Sequence, residues 1–332
     1  MTTVSKATDK DFEQMMQMLT GFFVTQIAGA VASYSIADHL ANGPATAEQI
    51  AKIEGTDPRA TFRLLRACAS LGLVTCDDEL TFSATPLLST LRSNVPGSLR
   101  GLAQAWSAPG HWQSWGRFPE AVRTGESQTV PALGAPIWDY YAQQPEEGAT
   151  FTDAMHGFTA GVARQVTRLV DTSTAKLAVD IGGASGTLVH GLMTANPRLH
   201  GIIVDLPDVV PSAIAAAATL GLTERSSVLA GDFFTSVPEA DIYLLKHILH
   251  DWDDGQAVCI LENCQRAIRP GGRVILIELI LGEIGEPGFA PFWDLNMMVM
   301  LPGRERTLGE YCGLLKQASA SKRAAPFARQ WQ

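Results

Sequence analysis

Two groups of residues in this sequence are of the types, and at the spacings, that carry chemistry. The first lies in residues 178–186, Ala-Val-Asp-Ile-Gly-Gly-Ala-Ser-Gly. Gly182, Gly183 and Gly186 follow a short apolar run and precede the helical pattern Leu188, Val189, Leu192 and Met193. A glycine turn between a strand and a helix lets the backbone bend sharply and lets a ligand approach it closely. The spacing matches neither the phosphate loop nor the full dinucleotide fingerprint, and such a turn is equally a plain connection in an α/β protein. Two acids sharpen the functional reading. Asp180 stands inside the strand end, where a buried carboxylate needs a partner or a ligand. Asp205 closes the next apolar run about twenty residues past the glycines, placed to take the two hydroxyls of a ribose.

The second group is His250 with Asp251, just past the apolar run 241–245. A neutral imidazole there can take a proton from a phenol or similar hydroxyl. It needs a group to fix its tautomer, and Glu278 and Glu305 are the candidates. A loop histidine is equally a surface or packing residue, and of His247 and His250 one is expected to be chemically silent.

The elements that must position these groups follow from the apolar periods. Strand-like runs at 177–181, 201–204, 228–230, 241–245 and 273–281 alternate with helical patterns, which predicts a parallel sheet with helices on both faces. Ligands bind beyond the carboxyl ends of the strands in such sheets. Asp180, Asp205, Asp232, Lys246 and Glu278 all fall at or just past such ends, and that convergence outweighs any one residue.

Upstream, residues 11–40 are helical with a heavy load of methionine and phenylalanine, which suits burial either within its own domain or against a second subunit. Thr46 with Gln49 forms a capping-box pattern, and Asp57-Pro58 opens the next helix. A small hairpin turns at Asp77-Asp78. Two helices and a hairpin in this order suggest a winged helix. Its second helix offers only Arg59, Arg63 and Arg66, and the tip is acidic, so a structural or dimerising role is favoured over DNA binding. Residues 86–170 hold Trp106, His111, Trp112, Trp115, Phe118, Trp138, Tyr140 and Tyr141, which suit either a pocket for a flat ligand or core filling.

Bulk composition narrows the classes. The chain has 332 residues, 46% of them hydrophobic, with a formal charge of −9, which disfavours nucleic acid or an anionic membrane as partner. Five scattered cysteines without metal-type spacing predict reduced thiols and a cytoplasmic protein, and no metal site is expected. No secretory signal or membrane-spanning run is expected either.

Taken together, Asp180-Ile-Gly-Gly-Ala-Ser-Gly, Val204-Asp-Leu-Pro, Gly231-Asp-Phe-Phe, Leu245-Lys-His-Ile-Leu-His-Asp-Trp and Gly303-Arg-Glu-Arg-Thr resemble the S-adenosylmethionine-dependent O-methyltransferases. The closest group is the caffeic acid type with its bacterial relatives that act on aromatic natural products. The resemblance runs from about residue 12 to 317 in the family's order and spacing. It implies a Rossmann-like class I methyltransferase sheet and an N-terminal, mostly helical, winged-helix-like dimerisation domain. The boundaries are residues 1–100 for dimerisation, 101–170 for a helical, substrate-lining linker, and 171–332 for the catalytic domain. It implies a homodimer, S-adenosylmethionine as cofactor, and an aromatic small molecule as acceptor. Asp180, Gly182, Gly183, Gly186, Asp205, Leu206, Gly231, Asp232, Phe233 and Lys246 would hold the cofactor. His250 would be the general base, flanked by Glu278 and Glu305. Met155, Phe158, Asp251, Trp252, Asn296, Met297 and Met300 would border the acceptor.

Two departures from the family stand out. Ala184 occupies a position where the family has a glycine, and alanine fits if φ stays negative there. From about 319 the tail carries no β-branched residue, so the family's last β-hairpin is expected to be absent or replaced by a loose basic tail beside an exposed sheet edge. Other functions stay open beside this reading. One is a same-fold enzyme for N-methylation or for cofactor-assisted decarboxylation or hydroxylation. Another is a non-catalytic winged-helix protein that binds a ligand.

Overall fold

The computed structural model describes residues 6–320. The chain divides into two compact units at Ala108/Pro109, so the residues read as a linker, 101–170, are shared between them.

The first unit holds α1 (Asp9–Leu19), α2 (Gly21–Ser33), α3 (Ile36–Ala41), β1 (Ala45–Thr46), α4 (Ala47–Glu54), α5 (Pro58–Ser70), β2 (Val74–Cys76), β3 (Thr81–Ala84) and α6 (Arg100–Ser107). The capping box forms as the sequence suggests: the Thr46 amide donates to the Gln49 side chain at 2.8 Å, and the Gln49 amide returns to Thr46 Oγ1 at 3.3 Å. Asp57 caps α5 through the Ala60 amide at 2.8 Å, with Pro58 at its first position. The strands pair antiparallel in the order β1-β3-β2, an arrangement compatible with a winged helix. Val31, Ile36, Leu40, Ile50, Leu65, Val74, Phe82 and Leu88 fill the core of this unit.

α1 has no buried residue, and Phe12, Met15, Met16, Met18, Leu19, Phe22 and Phe23 are all more than half exposed. The run Asp9–Ser33 is long and apolar enough to cross a membrane by length and composition alone, which the sequence reading did not anticipate.

In the second unit, α7 (Pro109–Trp115), α8 (Phe118–Thr124), α9 (Thr129–Leu133), α10 (Ile137–Gln143) and the long α11 (Pro145–Leu169) lead into the sheet. Then come β4 (Leu177–Ile181), α12 (Thr187–Ala195), β5 (His200–Asp205), α13 (Val210–Thr219), β6 (Ser226–Ala230), β7 (Ala240–Lys246), α14 (Asp254–Ala267), β8 (Ile268–Ile277), α15 (Ala290–Met300) and α16 (Leu308–Ala320). Five strands run parallel in the order β6-β5-β4-β7-β8.

Alternation along the strands assigns the two faces. Ala178, Ile203, Ile242 and Leu244 pack against Leu188, Val189, Leu192 and Met193 of α12, with Ala163 and Val166 of α11. Val179, Ile181, Tyr243 and Leu245 pack against Ala257, Ile260, Leu261 and Cys264 of α14, with Tyr311 and Leu314 of α16.

The strand order reverses between β4 and β7, which makes the carboxyl ends of those two strands the switch point where α/β sheets take ligands. The glycine turn and Lys246–His250 both leave the sheet there.

β8 differs from the expected span 273–281. It starts at Ile268, through a register break opposite Ala240/Ile242, and stops at Ile277. Glu278 is thereby released to the rim. Among the described residues β8 is an edge of the sheet, and the expectation for the tail beyond Ala320 lies outside the described residues.

Candidate active site

At the β4 end, the turn is tight because protein fills the space around it. A Cβ at Gly183 would meet the Asp180 carboxyl carbon at 2.7 Å, and one at Gly186 would meet His190 Cε1 at 2.8 Å. Gly182 and Gly186 have φ of +61° and +75°, which only glycine adopts at no steric cost. Ala184 corrects an expectation: its φ is +49°, not negative. The left-handed turn aims its amide at Asp205 Oδ2, 2.8 Å away, at a steric cost of about 1–2 kcal/mol for a residue with a Cβ.

Asp205 accepts a second bond from the Leu206 amide at 2.7 Å, and burial holds its carboxyl above the ordinary range. Asp180 is buried beneath the turn, where its Oδ2 faces the Val189 amide at 3.3 Å. Burial pushes its carboxyl up to about 7. Asp232 is exposed and caps its own turn through the Phe234 amide at 2.8 Å and the Thr235 hydroxyl at 3.0 Å. Beside the β6 end lies an open groove of about 480 Å³, lined by Val204, residues 229–232 and residues 235–238; the glycine turn, Asp180 and Asp205 do not line it. That volume lies within the usual range for a small-molecule site.

At the β7 end, Lys246 is enclosed, its ammonium 3.2 Å from His247 Nδ1 and 5.3 Å from the Phe158 ring centroid. Burial lowers the amine to about 8 against the opposing pull of Glu278, Asp180 and Asp251. His250 is 3% exposed, and its Nδ1 lies 2.6 Å from Glu305 Oε1. Glu278 Oε2 is 3.7 Å from the same nitrogen, and Asp251 Oδ1 is 3.3 Å from Nε2.

The two glutamates therefore do different work. Glu305 holds the imidazole. Glu278 uses Oε1 to accept the Ile248 and Leu249 amides at 3.1 and 2.9 Å, fixing the short turn Leu249–Asp251 that carries the ring. Burial raises all three acids, Glu305 to about 8 and Asp251 to about 7, with Asp294 adding to the effect on Glu305.

Of the residues expected to border an acceptor, Phe158 stacks on Trp293 with centroids 5.8 Å apart. Met297 and Met300, on the same helix as Trp293, are buried. Asn296 accepts the Trp115 indole N–H at 2.8 Å. Met155 lies half-buried on α11, one turn before Phe158. Trp252 joins a different aromatic group, edge-on to Phe234 at 4.7 Å and to Phe233 at 6.1 Å. His111, Trp138 and Tyr141 cluster around Phe151 as core, and burial drives His111 down to about 4.

Sequence reasoning missed two positioning residues in Gly303-Arg-Glu-Arg-Thr. Arg306 is fully buried and donates to the Leu249 and Trp252 carbonyls and to Asp254 Oδ1, each at 2.8 Å. Gly303 lies so close to the His250 turn that a Cβ would overlap the His250 carbonyl oxygen. The motif itself was visible; the burial of the arginine was not. His247, which with His250 makes the pair of which one is expected to be chemically silent, lies with its ring 5.0 Å from that of His250 and 5.4 Å from Phe158.

Residues 115–321 match the O-methyltransferase domain family, and residues 16–94 match the O-methyltransferase dimerisation domain. The chain is 35% identical over 316 residues to phenazine O-methyltransferase PhzM of Lysobacter antibioticus, covering 95% of this chain and 92% of that protein. The crystal structure of LaPhzM superposes with a TM-score of 0.89 over 92% of each chain. The chain is also 34% identical over 315 residues to 8-amino-8-demethylriboflavin N,N-dimethyltransferase of Streptomyces davaonensis, covering 92% and 89%. NcsB1, an O-methyltransferase from neocarzinostatin biosynthesis solved with S-adenosyl-L-homocysteine and 1,4-dihydroxy-2-naphthoic acid, superposes at 30% identity. Its TM-score is 0.76 over 89% of this chain and 90% of that one. With the glycine turn, the rim acids and the enclosed imidazole in place, the chain belongs to the O-methyltransferase family and is an S-adenosylmethionine-dependent O-methyltransferase.

Proposed function

We propose that the methyl acceptor is a hydroxyl on a phenolic or other aromatic small molecule of secondary metabolism, and that His250 takes its proton. The observation that carries this reading is the 2.6 Å contact of a buried imidazole with a buried carboxylate at the sheet's switch point. When bound, S-adenosylmethionine supplies a methyl carbon on a sulfonium sulfur that leaves as a neutral thioether, so the protein's task is mainly alignment.

The chain's residues fit that cofactor. Gly182, Gly183 and Gly186 would face its methionine end, with Asp180 supporting the turn from below. Asp205 and Leu206 would meet the ribose, and Gly231, Asp232 and Phe233 the adenine, beside the 480 Å³ groove. Lys246 would touch the cofactor from β7.

On the acceptor side, Met155, Phe158, Asn296, Met297 and Met300 would hold the flat ring, with Asp251 and Trp252 closing the His250 side. Glu305 accepts the Nδ1 proton and leaves the Nε2 lone pair for the acceptor hydroxyl. Once that proton arrives, the imidazolium has Glu305 at one nitrogen and Asp251 Oδ1 3.3 Å from the other. Both positions favour the charged ring.

We infer a homodimer built through residues 1–100, with 101–170 contributing to the acceptor site and 171–332 to catalysis. The exposed apolar side chains of α1 and α2 support it, since they overlap the dimerisation-domain match. Five free cysteines support a cytoplasmic setting.

The test is incubation with methyl-labelled S-adenosylmethionine and a panel of phenol, flavonoid, phenazine and polyketide acceptors. A product heavier by one methyl group on oxygen is expected. Methylation of nitrogen instead, the reaction named for the riboflavin relative, or a product of any other mass would overturn the proposal.

A further inference from the structure

We propose that His247 is a second catalytic histidine, one that donates a hydrogen bond from Nε2 to the acceptor oxygen while His250 removes its proton. This rests on the reading of a hydroxyl acceptor given above.

The argument starts from the tautomers. An ammonium has three donors and no lone pair, so Lys246 can only donate across the 3.2 Å to His247 Nδ1. Nδ1 is therefore the unprotonated nitrogen, and the ring carries its proton on Nε2. Burial and the Lys246 charge hold His247 well below the ordinary histidine range, so the ring stays neutral, and the tautomer is fixed while Lys246 is charged, below about 8. His250 has the opposite arrangement: with Nδ1 engaged by the Glu305 carboxylate, Nε2 offers a lone pair. The two rings stack with centroids 5.0 Å apart at 29°, beside Phe158 and Trp293. In this proposal an acceptor oxygen held beside both rings would meet a base and a donor together. His247 Nε2 has no hydrogen-bond partner among the described residues, and the residue as a whole keeps some exposure.

The backbone gives independent support. His247 has φ +53°, a left-handed conformation that a side chain rarely adopts and that concentrates at functional sites. A glycine would adopt it freely, yet an imidazole is kept.

The chemistry balances without a further reactant. The O–H proton of the acceptor moves to His250 Nε2. The oxygen lone pair forms the bond to the methyl carbon as the carbon–sulfur bond breaks, its electron pair staying on sulfur. His247 transfers no proton; it stabilises negative charge on the oxygen before the new bond forms.

The test uses the full enzyme and substituted phenols whose acidity spans roughly that of tyrosine down to neutrality. His247→Phe keeps the ring stack and removes the donor. It should lower kcat/KM roughly 10²-fold for weakly acidic phenols. For phenols already ionised at the assay pH it should change kcat/KM by less than about threefold, because they need no help to ionise. His247→Gln, which offers an amide donor, should recover part of the loss, and calorimetric affinity for S-adenosylhomocysteine should be unchanged. An equal loss across the whole series would mean a structural role and overturn the proposal, as would no loss at all. If the Phe variant does not fold, the same acidity series on the Gln variant decides: a graded loss supports the proposal and a flat one overturns it. Should the wild-type enzyme methylate none of these phenols, the acceptor reading fails instead.

Discussion

The chemistry of the site is set by a few groups taken out of water. Glu305 is held at about 8 mainly by burial, so its carboxyl keeps a proton to higher pH than it would in solvent. In the proposed mechanism Glu305 must be a carboxylate to accept the Nδ1 proton of His250. Turnover is therefore expected to rise with pH through about 8, and Glu305→Gln is expected to move that rise to lower pH; a pH profile of kcat for both proteins checks it. Stability should run the other way. Acids raised in the folded state, Glu305 to about 8 and Asp180 and Asp251 to about 7, stabilise it fully below their unfolded values. That contribution is lost progressively from those unfolded values, about 4, up to the folded values of 7 to 8, so melting temperature should fall over that range and level off above it. At this scale the sequence was legible for residue type and strand-end position: Asp180, Asp205, Lys246 and Glu278 all reach the rim. It was silent on the positive φ of Ala184, which follows from the aim of one amide at Asp205, and on His247, whose role depends on which nitrogen faces Lys246.

Elements hold those groups in place through contacts far apart in sequence. The turn Leu249–Asp251 is fixed from three sides: by Glu278 at its start, by Arg306 on the carbonyls of Leu249 and of Trp252 just after it, and by the Gly303 backbone lying against it. Gly303→Ala forces a methyl group onto the His250 carbonyl oxygen. It should destabilise the fold by about 3 kcal/mol, read as a lowered urea midpoint with an unchanged slope. The apolar periods gave the alternation of strands and helices and the switch point between β4 and β7. They misplaced β8, because the Pro270-Gly-Gly segment enters the ladder through a register break that no period records. The buried Arg306 was hidden for a similar reason. Its partners lie more than fifty residues upstream, so only the packing shows that the charge is enclosed.

For the whole molecule, the same fold must bury two kinds of apolar surface. The sheet's faces are covered by helices of its own unit, but α1 and the start of α2 leave a row of methionines and phenylalanines exposed. Met16 on α1 and Phe23 near the start of α2 are both more than half exposed. Changing both to Glu should shift the protein from the mass of two chains to that of one in sedimentation, with the far-UV spectrum retained. A dimer that persists would remove this face from the interface.

The central claim is that an imidazole and an activated methyl donor share one cavity at the sheet's carboxyl rim. The most direct measurement compares wild-type enzyme with His250→Ala, pairing calorimetric affinity for S-adenosylmethionine with turnover at saturating acceptor. The account predicts intact cofactor affinity and a loss of turnover of roughly 10²–10⁴-fold. Undiminished turnover in the variant, or no cofactor uptake by the wild-type protein, would contradict it.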